Sequence, residues 1–140
     1  MTRAAALILV VSAGLLVVGL AGAGSPVPSE IAAGQEIYER CAACHSLDRD
    51  RVGPHHCGIF GRRAGSLPGF AYSEAMRASG IVWNRDTLDS FLADPLGTVP
   101  GTFMTYAGIQ DPEERAQLLA FLEVATRGAQ CEHVSMDSRP

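Results

Sequence analysis

Apolar residues recur at helical spacing in four stretches of this chain, and long segments without a regular period separate them. The first stretch predicts a helix that Ser29 caps and that runs to about Arg40. Gly34 lies inside this helix, where a glycine costs about 1 kcal/mol relative to alanine. We therefore expect Gly34 to let another helix cross closely.

Three further helices follow from their start and stop signals. Two short ones are predicted over residues 73–80, from a serine to a glycine, and residues 84–94, from an asparagine to the residue before a proline. A longer one begins with Asp111 as its cap and Pro112 in its first position, and Gly128 ends it. The sequence thus predicts an all-α fold of four to five short helices.

Two irregular segments connect these helices, over residues 46–70 and 96–110. Loops of this length inside a compact domain usually surround something. The predicted helices carry too little apolar surface to bury such loops unaided, so we expect a large apolar cofactor to fill the interior.

The N-terminal segment has the pattern of an export signal. Arg3 precedes an apolar run over residues 4–20 and a small-residue site that ends at Ala23. Cleavage after Ala23 would place the mature protein in the periplasm, and an uncleaved membrane anchor is the alternative. The predicted organisation is a signal peptide over 1–23, a linker over 24–28, one domain over 29–128 and a C-terminal tail over 129–140.

Charge argues against nucleic acid as a partner. The formal net charge is −4, and loss of the signal peptide would remove Arg3 and make it more negative. Every basic side chain apart from the four histidines is an arginine, since the sequence contains no lysine.

Cys41-Ala42-Ala43-Cys44-His45 is the C-x-x-C-H signature of covalent haem attachment. Two thiols add to the two vinyl groups on one porphyrin edge, and the adjacent histidine turns its imidazole towards the iron. Two alternatives stay open from the pentapeptide alone. One is a zinc site completed by His55, His56 and Cys57, and the other is a redox-active disulfide.

From residue 34 to 126 the chain resembles the class I cytochromes c of mitochondria and proteobacteria. The matching segments come in that family's order: GQEIY, CAACH, VGP, GIFGRRAG, PGFAYS, GIVW, FLADP, VPGTFM, YAGI and RAQLLAFL. The resemblance implies the class I cytochrome c fold, in which the N- and C-terminal helices cross and long loops surround one haem c. It also implies a one-electron carrier rather than an enzyme.

The resemblance assigns the iron ligands and their surroundings. His45 becomes the proximal ligand, with its second ring nitrogen donating to the carbonyl of Pro54, and Met104 becomes the sixth ligand. The alternative for a methionine in a loop is simple packing. The resemblance implies that Arg62, Tyr72, Trp83 and Thr102 donate hydrogen bonds to the haem propionates. The alternative for Tyr72 and Trp83 is packing in an aromatic core, and the alternative for Arg62 is a solvated loop position.

One spacing departs from the family. Tyr38 is the expected aromatic residue at the helix crossing, but it precedes Cys41 by three residues instead of four. In an α-helix this would rotate the aromatic ring by about 100° relative to the haem attachment. Either a local irregularity absorbs the difference, or Tyr38 is not the crossing residue.

Three further departures bear on partners and on stability. Leu96, Gly97 and Phe103 replace lysines that surround the haem edge in mitochondrial relatives, so we expect an apolar docking patch with arginines around it. Cys57 and Cys131 remain after haem attachment and are expected to pair, the alternatives being free thiols or an intermolecular bridge. His56 replaces a buried leucine and is either hydrogen-bonded in the pocket wall or part of a second metal site.

The sequence therefore predicts a monomeric carrier of single electrons between membrane or periplasmic redox proteins, without a small-molecule substrate. Two competing functions remain. An enzyme or gas sensor would have an open iron site, with Met104 absent from the metal or weakly bound. A zinc-stabilised binding module would be colourless.

Overall fold

The computed structural model describes residues 28–137, and that part of the chain is made of helices and long loops. The predicted signal peptide, 1–23, lies outside it, as does the linker up to residue 27. The described helices are α1 (Pro28–Tyr38), α2 (Glu74–Ala78), α3 (Arg85–Ala93), α4 (Pro95–Thr98), α5 (Pro112–Ala125) and α6 (Glu132–Asp137), with a 3-10 turn at Ala129–Cys131 before α6.

Within residues 28–137 the only β-type pairing is one isolated bridge between Arg63 and Val82, so the all-α prediction is confirmed. No helix in this range is both long enough and apolar enough to cross a bilayer.

Side-chain caps begin α2, α3 and α5 as the sequence predicts. The hydroxyl of Ser73 accepts a hydrogen bond from the backbone N–H of Met76 at the start of α2. Asn84 and Thr87 bond each other's backbone N–H groups at the start of α3, which is a capping box. Asp111 accepts from a backbone N–H in the first turn of α5. Each cap satisfies an N–H group that has no partner within its own helix.

Several helix ends differ from the prediction. Helix α1 spans Pro28–Tyr38, so the prediction that Ser29 caps it is wrong: Ser29 lies within the helix. Asp94 ends α3, but its carboxylate also accepts from the N–H of Gly97 and so opens α4, with proline first. Helix α5 ends at Ala125 rather than at residue 128, and the predicted tail contains α6.

Helices α1 and α5 cross at Gly34. A Cβ atom at this position would lie 2.0 Å from the carbonyl oxygen of Gln117 and 2.7 Å from the Cβ of Phe121. Tyr38 packs on Phe121 with 5.3 Å between ring centroids, and Arg40 forms two 2.7 Å hydrogen bonds to Glu114 at the surface. The interior glycine is therefore required by the contact between these two helices.

Gly34→Ala should destabilise the protein by about 2 kcal/mol. Alanine would gain about 1 kcal/mol in helix propensity, but its methyl group would force the helices apart, and overpacking typically costs about 1–3 kcal/mol or more. Denaturant unfolding of the haem-loaded protein measures the loss.

Gly128→Ala is the matched control for Gly34→Ala. Residue 128 has a negative φ and no neighbour closer than 3.6 Å to an added Cβ. Its substitution should change the free energy of unfolding by less than about 0.5 kcal/mol. Equal effects of the two substitutions would contradict the close crossing.

The three-residue spacing between Tyr38 and Cys41 is absorbed by a change of helical winding. Regular α-helix ends at Tyr38, and the N–H groups of the next three residues each bond the carbonyl three positions earlier. Three residues of 3-10 helix turn the chain by about 360°, while four residues of α-helix turn it by about 400°. Cys41 thus returns to the side of the helix on which Tyr38 lies.

Candidate cofactor site

The pentapeptide Cys41–His45 forms a single helical turn after α1. The N–H of Cys44 bonds the carbonyl of Cys41 at 3.0 Å, and the N–H of His45 bonds the same carbonyl at 2.8 Å. Both cysteines are free thiols, Cys41 half-buried and Cys44 exposed. Burial raises the pKa of the Cys41 thiol and keeps it protonated. Cys41 and Cys44 therefore do not form a disulfide with each other in this structure.

The ring of His45 is fixed by one hydrogen bond. Its Nδ1 lies 2.8 Å from the carbonyl oxygen of Pro54, the contact that the family resemblance predicts. Burial lowers the pKa of His45, so the ring is neutral, as a metal ligand must be. Because a carbonyl can only accept, Nδ1 carries the proton, and Nε2 has no hydrogen bond to any described residue. Nε2 is therefore available as a ligand.

Gly53 is a residue of this site that the sequence analysis did not single out. A Cβ atom there would lie 2.3 Å from Cε1 of His45 and within 2.7 Å of both ring nitrogens. Only glycine lets the backbone come this close to the imidazole. The signal in the sequence is the Gly-Pro pair inside a long loop, since the proline supplies the carbonyl and the glycine supplies the space.

Met104 is half-buried and packs against the main hydrophobic core, as do Cys41 and Tyr72, and Trp83 is a member of that core. The backbone N–H of Met104 donates to the hydroxyl of Thr102 at 3.2 Å, and Thr102 is itself buried. Cys41, Tyr72, Trp83 and Met104 thus all belong to, or border, the hydrophobic core of the described residues.

The donors available in this region fit a haem. Trp83 is only 6% exposed as a residue, and no described residue accepts from its indole N–H, so this group can still donate. The buried hydroxyl of Thr102 accepts one bond and can still donate.

Arg62 is also positioned as a donor. It bonds the carbonyls of Cys57 and His55 through its two terminal nitrogens, and its backbone carbonyl accepts from Trp83. A guanidinium has five N–H groups, so donors remain for an anion. Burial lowers the pKa of Arg62, and a nearby carboxylate would offset that desolvation.

Tyr72 is half-buried, with its ring 4.7 Å from the ring of Phe70. Its backbone carbonyl accepts from Arg77, which fixes the segment before α2. Burial raises the pKa of Tyr72, so its hydroxyl is a neutral donor.

The residues required for a zinc site have other partners. His55 bonds Asp50 at 2.9 Å, and Nδ1 of His56 lies 3.1 Å from the hydroxyl of Tyr38. Cys57 is joined to Cys131. Within the described part of the chain, no group of three or more His, Cys, Asp or Glu side chains could hold a metal ion. His56 thus has the hydrogen-bonded role rather than a role in a second metal site.

The Cys57–Cys131 disulfide links the loop after Pro54 to the segment that follows α5. The two Cα atoms are 5.4 Å apart, and both side chains are buried. The neighbouring N–H of Gly58 bonds the carbonyl of Thr126 at 3.0 Å, which joins the same two segments. The loop that supplies the carbonyl to His45 is therefore fastened to the C-terminal part of the fold.

A family model, relatives in sequence and a solved structure all point to the same family. A family model described as cytochrome c matches residues 31–125. Cytochrome c2 of Rhodomicrobium vannielii is 41% identical over 103 residues, covering 71% of this chain and 78% of the relative. Cytochrome c of Sesamum indicum is 38% identical, covering 71% and 93%. The structure of cytochrome cH from Methylobacterium extorquens matches with a TM-score of 0.65 and 39% identity, covering 66% of this chain and 96% of that one.

Proposed function

Since this chain belongs to the cytochrome c family, we propose that His45 and Met104 are the two axial ligands of its single haem c. The protein is a class I cytochrome c, an electron-transfer protein and not an enzyme, and it binds one haem covalently. The haem supplies an iron that gains and loses one electron. Cys41 and Cys44, which lie on one helical turn, are the attachment residues.

The observation that carries this proposal is the state of the His45 ring. Its Nδ1 donates to the carbonyl of Pro54 and its Nε2 is unpaired among the described residues. The carbonyl fixes the tautomer in which Nε2 has a lone pair, and it increases the basicity of the ring. Gly53 leaves room for this orientation.

Met104 contributes a neutral thioether, which favours the reduced state of iron and raises the reduction potential. The hydrogen bond from its backbone N–H to Thr102 orders the loop, and the side chain packs against the core. A methionine that occupies the sixth position also excludes external ligands. These properties favour a carrier over an open-site enzyme or gas sensor.

Arg62, Tyr72, Trp83 and Thr102 are the proposed donors to the haem propionates. Buried carboxylates are costly unless they are hydrogen-bonded, and charged donors make the stronger bonds. The unpaired indole N–H of Trp83 and the remaining N–H groups of Arg62 are suited to this role.

Potentiometry of protein matured in a haem-attaching periplasm tests the proposed function. We expect one reversible one-electron transition and no binding of carbon monoxide by the ferrous form. Carbon monoxide binding by the unmodified protein would overturn the carrier role and favour a ligand-binding iron site.

The proposed partners are redox proteins of the periplasm or its membrane, recognised through apolar contacts. Phe103 is 74% exposed and Leu96 is 50% exposed, and the family resemblance places both where mitochondrial members have lysine. The export signal proposed for residues 1–23 supports the periplasmic location. Docking without a ring of cationic side chains should depend little on salt.

We predict that membranes of the source organism oxidise the reduced protein at a rate that depends little on salt. The rate should change less than about twofold as ionic strength rises from about 0.01 to 0.15 M, although the Debye length falls from about 30 to 8 Å. Phe103→Ala should slow this oxidation, while Val124→Ala, which also truncates an exposed apolar side chain, should not. A steep loss of rate with salt would show that charge, not apolar contact, governs docking.

A further inference from the structure

His56 lies against the proposed proximal ligand. Its ring stacks on the ring of His45, with 4.4 Å between centroids and an angle of 25° between planes. This contact is additional to the hydrogen bond that His45 makes to Pro54. A hydrogen bond at Nδ1 alone would let the imidazole turn about that bond, whereas the backbone at Gly53 and the stacked ring of His56 both restrict this rotation.

Hydrogen bonds hold both the backbone and the ring of His56. Its backbone N–H bonds the carbonyls of Ser46 and Leu47, at 3.1 Å each, in the segment directly after His45. At the other end, Nδ1 of its ring lies 3.1 Å from the hydroxyl of Tyr38. Because the next residue forms the disulfide to Cys131, the backbone around His56 has little freedom.

Tyr38 connects this arrangement to the helix crossing. It is buried, and its ring packs edge-on against His56 and tilted against Phe121, with centroid distances of 5.7 and 5.3 Å. A phenylalanine at residue 38 would preserve both ring contacts and remove only the hydroxyl. Tyr38→Phe would therefore test whether the hydrogen bond from the Tyr38 hydroxyl, and not packing alone, fixes the His56 ring.

We propose that His56 and Tyr38 are positioning residues for the proximal ligand: the Tyr38 hydroxyl holds the His56 ring, and that ring sets the plane of the His45 imidazole. This inference rests on the proposed ligation by His45. A ligand held in one orientation gives the iron one electronic environment, and it limits the rearrangement that accompanies each change of oxidation state.

Three variants of the matured protein test the proposal: His56→Leu, Tyr38→Phe and the double variant. The readouts are the g-values of the ferric form in electron paramagnetic resonance and the haem-methyl shifts in proton NMR, since both depend on the orientation of the axial imidazole plane. We expect His56→Leu to shift and broaden these signals and Tyr38→Phe to do so in the same direction by less. The double variant should match His56→Leu, because the hydroxyl acts only through His56.

His55→Leu is the matched control, because it removes the neighbouring histidine, whose side chain bonds Asp50 instead. It should leave both spectra unchanged. Unchanged spectra in His56→Leu, or additive effects of the two single substitutions, would overturn the positioning role. A wild-type ferric spectrum without histidine–methionine ligation would instead overturn the proposed function, so the two failures are distinguishable.

Discussion

Met104→Leu is expected to lower the reduction potential and to allow carbon monoxide to bind the ferrous protein. Leucine has nearly the same volume as methionine, so the packing against the core is retained while the sulfur ligand is lost. The potential should fall by roughly 0.2 V, a moderate part of the about 0.8 V over which axial ligands move haem potentials. Potentiometry and a carbon monoxide difference spectrum measure the two effects.

Met76→Leu is the matched control, since it makes the same substitution at a buried methionine in α2. It should leave the ferrous protein unreactive to carbon monoxide and cost less than about 1.5 kcal/mol of stability. If Met104→Leu kept the potential and the resistance to carbon monoxide, Met104 would be a packing residue and the sixth ligand would lie elsewhere.

Removal of the disulfide should produce the largest loss of stability. Cys57 and Cys131 are 74 positions apart in sequence, and closing a loop of this length contributes about 4 kcal/mol in the chain-entropy model. The variant with alanine at both positions should therefore unfold at a clearly lower denaturant concentration than the oxidised protein. Titration of thiols in the denatured, unreduced protein should find none attributable to these two residues.

The single variants provide the control for this prediction. Cys57→Ala and Cys131→Ala should each cost nearly as much as the double variant, because either one removes the whole cross-link. Reduction of the unmodified protein, which keeps both side chains, should reproduce most of the loss. Additive effects of the two single substitutions, or free thiols on unmodified monomer, would contradict a stabilising intramolecular bridge.

Local chemistry explains why the starts of α2, α3 and α5 were predictable, although the cap predicted at Ser29 was wrong. A serine, asparagine or aspartate before an apolar period bonds the first unpaired N–H groups wherever the helix lies in the fold, as Ser73, Asn84 and Asp111 do. Gly34 was equally informative, because an interior glycine is unfavourable unless another backbone needs the space. The haem signature was recognisable because its chemistry requires a fixed spacing.

Tertiary contacts explain what the sequence left open. The pair Asp94-Pro95 predicts the end of a helix, and only the structure shows that the same two residues also start α4. The aromatic spacing at Tyr38 was resolved by a 3-10 turn that no local pattern predicts. The stacking of His56 on His45 joins two loop positions, and contacts of this kind depend on how the loop folds back.

The absorption spectrum of the ferric, fully matured protein tests the central claim most directly. Ligation by His45 and Met104 of a haem attached at Cys41 and Cys44 predicts a coloured protein with a far-red sulfur-to-iron charge-transfer band. A colourless protein, or a pigmented one without that band, would contradict the account.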